Sequence, residues 1–154
     1  MSIHEINPSN TDKGNKKVLD KLIVFNELVN ELNKKEIPFL LEKVINEEIL
    51  SLNFFIDSDK ELMQKLGKVQ YRIVTLVEKE LQLVPKNYHR NRWMAFGMGA
   101  FGIPFGIAFG FALGNLAFLG IGIPIGLAIG IAVGSAKDKK VQQEGKQLNV
   151  VLKN

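Results

Sequence analysis

Cysteine is absent from the 154 residues, and histidine occurs only at His4 and His89. Without cysteine there is no disulfide framework, no thiolate nucleophile and no Cys-ligated zinc, and the redox compartment stays undetermined. Two histidines so far apart in sequence do not suggest a Ser-His-Asp triad or a histidine metal centre. No catalytic residue stands out, so the expectation is a non-enzymatic protein with no cofactor. Glu47 and Glu48 are adjacent and point to different parts of a helix surface, as ordinary solvated carboxylates do.

A second absence is more informative. From Trp93 to Ala136 there is no Asp, Glu, Lys, Arg or His. As one helix that stretch would measure about 66 Å at ~1.5 Å per residue. A bilayer core is only about 30 Å thick, so two crossings fit better than one. The N-terminal run MSIHEINPSNTDKGNKK has no apolar segment, so no cleavable secretory signal or lipidation motif is expected there. Insertion would be driven by the internal hairpin.

Charge and glycine are unevenly spread. Eleven of the 14 glycines lie between Gly97 and Gly134, and 14 of the 16 acidic residues precede Pro85. Residues 1 to 85 carry 12 Lys+Arg against 14 Asp+Glu, whereas residues 86 to 154 carry 8 against 2. The basic residues Lys86, Arg90 and Arg92 lie on one side of the apolar run, and Lys137, Lys139 and Lys140 lie on the other. Together with Tyr88 and Trp93, they read as membrane-interface anchors. No basic face with interleaved aromatics appears elsewhere, so nucleic acid is not an expected partner despite a pI near 9.3.

The N-terminal half has helical periodicity. Val18, Leu22, Phe25, Val29 and Leu32 mark one stripe to about Lys35, and Leu41, Ile45, Ile49 and Leu52 mark a second helix from about Ile37. Ser58 and Glu61 have capping-box spacing for a third helix. Leu62, Leu66, Val69, Ile73, Leu76 and Leu83 carry that helix to about Val84, where Pro85 stops it. A three-helix bundle packing on itself is preferred over an intermolecular coiled coil, because three heptads are few. The chain therefore divides into a disordered tail (1–15), a soluble helical domain (16–85), a basic linker (86–92), a transmembrane hairpin (93–136, crossings 93–113 and 116–136) and a polar cytoplasmic tail (137–154). The fold class is all-α.

The apolar run contains an internal repeat. FGIPFGIAFGFALGN (101–115) returns as IGIPIGLAIGIAVGS (121–135), with Gly, Pro, Gly, Ala, Gly, Ala and Gly in register. Large and small residues alternate, which is a strand signal. Pro104 and Pro124 would each delete a ladder donor, two strands cannot close a barrel, and the small side is apolar where a lumen should be polar, so helices are preferred.

As helices, Gly102, Gly106, Gly110 and Gly114 recur every four residues, as do Gly122, Gly126, Gly130 and Gly134. Each row forms a groove that admits a neighbouring backbone. About 200° away lies a second small-residue face of Pro104, Ala108 and Ala112, matched by Pro124, Ala128 and Ala132. One groove would serve the hairpin partner and the other a second chain, so a homo-oligomer is expected. Each proline should remove a helical hydrogen bond, to the carbonyl of Ala100 or Gly120, and bend its helix. Gly97, Gly99 and Gly102 match G-x-G-x-x-G but lack the preceding strand that a dinucleotide site needs.

The tip, Gly114-Asn115, is uncharged between basic flanks, which by the positive-inside tendency puts both termini in the cytoplasm. On residues 102 to 134 the hairpin resembles the glycine-zipper membrane segments of bacterial channels, toxins and envelope proteins. The whole chain resembles small uncharacterised bacterial membrane proteins with such a hairpin. The resemblance implies the bacterial inner membrane and a packing role for the eight zipper glycines, and it carries over no catalytic set. The function expected is a membrane protein that self-associates through the hairpin and offers its N-terminal helices to a cytoplasmic protein partner. The alternative is a pore former, whether a resident channel, a lytic protein or a delivered toxin.

Overall fold

The computed structural model describes residues 2–6, 15–52, 59–115, 117 and 119–152. Their regular secondary structure is helical apart from one short β-pairing, and they divide into two compact units, Met1–Pro85 with Leu148–Asn154, and Lys86–Gln147.

In the first unit α1 (Lys16–Asn33) and α2 (Phe39–Leu50) pack on the longer α3 (Asp59–Leu81). Asn15 caps α1 by accepting the Lys17 N–H. Pro38, which lacks an N–H, is the N-cap residue of α2. Ser58 lies outside the described residues, so the capping-box reading for α3 does too. The core is built from Val18, Leu22, Phe25, Leu28, Val29 and Leu32 of α1, Leu41, Ile45 and Ile49 of α2, and Leu62, Leu66, Val69, Ile73, Val74 and Val77 of α3. Periods of three and four put these side chains on one stripe per helix, and burying each contributes about 1.5–3 kcal/mol.

Three boundaries differ from the expectation. First, α3 ends at Leu81 rather than near Val84. Gln82 turns left-handed (φ 58°), and Val84-Pro85 enters the short strand β1 (Val84–Pro85). Pro85 disfavours helical backbone at Val84, and Leu83 and Val84 are both buried, Val84 in the strand.

Second, the expected disordered tail is ordered at residues 2–6. Asn33 accepts the Ile3 N–H (2.9 Å) and donates to the Ile3 carbonyl (3.1 Å). Asn26 does the same for Ile6 (3.0 and 2.7 Å), and Asn46 accepts the His4 N–H (2.9 Å). Side-chain amides thus replace a neighbouring strand for this extended segment, and Ile3 and Ile6 enter the core.

Third, the chain does not finish as a solvated tail. Beyond β2 (Gln147–Leu148), which pairs with β1, Leu148 and Val150 are buried in the first unit. The Asn149 N–H donates to Glu31 Oε2 (2.7 Å). Lys34 pairs with Glu31 Oε1 at 2.6 Å.

In the second unit α4 (Tyr88–Gly97), a π-helical turn (Met98–Gly102) and α5 (Ile103–Ala112) form one continuous helical run. It packs antiparallel on α6 (Leu119–Gln143). The expected basic linker is therefore helical from Tyr88 onward.

Candidate membrane-spanning hairpin and its flanks

Two helical stretches, Tyr88–Ala112 and Gly120–Gln143, are long and apolar enough to cross a bilayer. The first has 25 residues, about 37 Å at 1.5 Å per residue, against a core of about 30 Å. Only 22% of each apolar window is buried within the structure, whereas the core helix of a soluble protein is mostly buried. Phe101, Ile103, Phe105, Ile107, Phe109 and Phe111 are exposed on one helix, as are Ile121, Ile123, Ile125 and Ile129 on the other. An exposed apolar surface this continuous marks a membrane or protein interaction face.

The seam between the helices is backbone against backbone. A Cβ placed on Gly126 would strike the Gly97 carbonyl and lie 2.5 Å from the Gly102 nitrogen. One on Gly122 would strike Gly102 and lie 2.6 Å from Gly106 Cα, and one on Gly130 would lie 2.9 Å from Met94 Cα. One on Gly134 would lie 2.5 Å from Arg90 Cα. No side chain can be accommodated there unless the helices separate, so glycine is what permits this approach.

One member of the expected glycine row is displaced. Gly114 takes φ 64° in the turn between the helices, and a Cβ there would meet nothing within 4 Å. Its place in the seam is taken by Gly97, which is buried against Gly126 and Gly130. Gly102, Gly106 and Gly110 are buried on the first helix, and Gly122, Gly126, Gly130 and Gly134 on the second.

The reason is the π-turn. Ile103 donates its N–H to Met98, five residues back, so positions five apart share a face across this turn. Gly97 and Gly102 are spaced that way, and so are Phe96 and Phe101, whose rings meet at 6.5 Å. The turn immediately precedes Pro104, which has no N–H for an α-helical bond to Ala100. Pro124 instead lies inside α6, so the two copies of the repeat accommodate their prolines differently. The second small-residue face, Pro104, Ala108 and Ala112 with Pro124, Ala128 and Ala132, is exposed throughout.

At the flank the aromatic and basic residues are paired. The Lys137 ammonium lies 4.6 Å from the centre of the Trp93 ring. Arg92 donates to the Tyr88 hydroxyl (2.8 Å) and its guanidinium lies 5.3 Å from that ring's centre. Such pairs hold an amphipathic ring and a cation at one level. Arg90 and Lys139 are exposed, and Lys140 pairs with Glu144 at 4.0 Å.

Sequence reasoning overlooked Asp138. Its carboxylate is buried and accepts the backbone N–H groups of His89 (3.0 Å) and Arg90 (2.9 Å). It thereby caps the N-terminus of α4 from the opposite helix, a favourable place for negative charge. The available signal was its isolation, as the single acid within Lys137-Asp138-Lys139-Lys140.

Among the described residues no three His, Asp or Glu side chains come together to hold a metal ion. No family model, curated protein or solved structure matches this chain.

Proposed function

We propose that this chain is a non-enzymatic integral membrane protein, of the glycine-zipper hairpin kind, that crosses the bacterial inner membrane twice and self-associates. In this reading it holds its helical unit in the cytoplasm, ready for a protein partner. The observation that carries the reading is the hairpin: two membrane-length helices with large apolar side chains outward and glycines inward. Helical backbone satisfies its own hydrogen bonds, as a bilayer requires. The segments before and after the hairpin belong to one compact unit, which agrees with an even number of crossings and both flanks on one side. The basic flanks and uncharged tip favour the cytoplasm for that side.

The glycine seam is used up within the hairpin, so self-association falls to the outer row of Pro104, Ala108, Ala112, Pro124, Ala128 and Ala132. Mass measurement of the purified protein in lipid nanodiscs tests this. A dimer or larger species is expected for the wild type and a monomer for the A108L/A128L double variant. A wild type that is monomeric at every protein-to-lipid ratio overturns self-association. In liposomes holding a self-quenched dye the same protein should cause no release. Dose-dependent release would instead favour the pore-forming alternative.

A further inference from the structure

At the polar end of the hairpin a cavity of about 450 Å³ is lined by Lys86, Asn87, Ser135, Asp138, Lys139, Gln142 and Gln147. Ser135, Asp138, Lys139 and Gln142 follow one face of α6, at steps of three and four residues. Lys86 and Asn87 form the turn before α4. Asp138 keeps its negative charge, but both of its oxygens are engaged by backbone N–H groups of α4. Lys86 and Lys139 have no carboxylate partner among the described residues. The lining thus carries two ammonium groups without a direct ion pair against one carboxylate turned to the backbone, a net charge of one positive, together with a hydroxyl and amides. That is the chemistry of a phosphate receptor, and the volume falls within the roughly 300–1,000 Å³ of small-molecule sites.

We infer that this cavity binds the phosphodiester headgroup of an anionic lipid, with Lys86 and Lys139 as the charge-bearing contacts. The inference rests on the membrane reading above. The charge-free stretch ends at Ala136, between Ser135 and Lys139, so the cavity spans the level at which headgroups lie. Lys137, which lies between the lining residues Ser135 and Asp138, sets its ammonium 4.6 Å from the centre of the Trp93 ring, a pair suited to the same level. Basic pockets between membrane helices hold anionic headgroups in this way, and a lysine stem can run along the apolar helix while its ammonium reaches the phosphate.

The test is native mass spectrometry of the full chain in detergent micelles, titrated with short-chain phosphatidylglycerol, phosphatidylcholine or glycerol phosphate. Phosphatidylglycerol should bind at least tenfold more tightly than phosphatidylcholine. The K86Q/K139Q double variant should lose that preference and K86R/K139R should keep it. The K137Q/K140Q variant, which removes the same charge outside the cavity, should keep it as well. Helix content by circular dichroism checks that each variant folds. Equal binding of the two lipids, or a preference equally reduced in both Lys→Gln doubles, overturns the site. Binding of glycerol phosphate without preference among lipids overturns the lipid source. Flotation of the wild type with phosphatidylcholine vesicles is measured alongside. Flotation without headgroup preference defeats this inference alone, and failure to float with the preference intact defeats the membrane reading alone.

Discussion

A methyl group added at Gly126 would run into the backbone of Gly97 and Gly102, whereas one added at Gly99 or Gly120 would meet nothing within 4 Å. The same substitution therefore has opposite consequences at positions of one type. Alanine in place of glycine gains about 0.5–1 kcal/mol of helix propensity, while overpacking costs about 1–3 kcal/mol. At Gly126 the obstacle is main chain and cannot move aside, so Gly126→Ala should destabilise the hairpin by about 1–2 kcal/mol net. Gly99→Ala and Gly120→Ala should be neutral or slightly stabilising. Loss of hairpin helicity under titration with a denaturing detergent, followed by circular dichroism, gives the ranking. Gly97 shows the limit of reading such positions from spacing. A fourfold repeat points to Gly114, and only the inserted residue of the π-turn, which immediately precedes Pro104, brings Gly97 onto the seam.

Among the elements, the three helices of the first unit were legible because their apolar residues recur at three and four and need only one stripe each to be buried. The segments flanking them were not. Residues 2–6 look like a polar tail, since their backbone partners are the amides of Asn26, Asn33 and Asn46, between 20 and 44 residues away. Leu148 and Val150 are too few to announce burial, and what holds their segment is a contact to α1 spanning 118 residues. There Glu31 accepts from Lys34 and from the Asn149 N–H, and these hold its carboxyl below the ordinary value of 4.5, the Lys34 bond first, against an opposing desolvation. A lowered folded-state value stabilises the docked segment at pH above the unfolded value and loses that contribution as pH falls through the folded one. Amide exchange of Asn149, corrected for its intrinsic pH dependence, should accelerate as pH drops below about 4.5. In Glu31→Gln that acceleration should be absent, with faster exchange at neutral pH.

For the molecule as a whole, the charge-free stretch and its basic flanks were enough to divide the chain into a polar helical part and an apolar hairpin. The return of the C-terminal segment into the first unit was not visible, yet it bears most directly on topology, because it ties both flanks of the hairpin to one body. The central claim is that the hairpin crosses a bilayer twice with those flanks on the cytoplasmic side. The chain has no cysteine, so single reporters have no background. Cells expressing Asn115→Cys at the tip, Gln143→Cys at the end of α6, or Lys34→Cys at the end of α1 are exposed to a membrane-impermeant maleimide. The account predicts that Asn115→Cys is labelled in intact cells, whereas Gln143→Cys and Lys34→Cys are labelled only after the membrane is opened. Labelling of tip and flanks from the same side would contradict it.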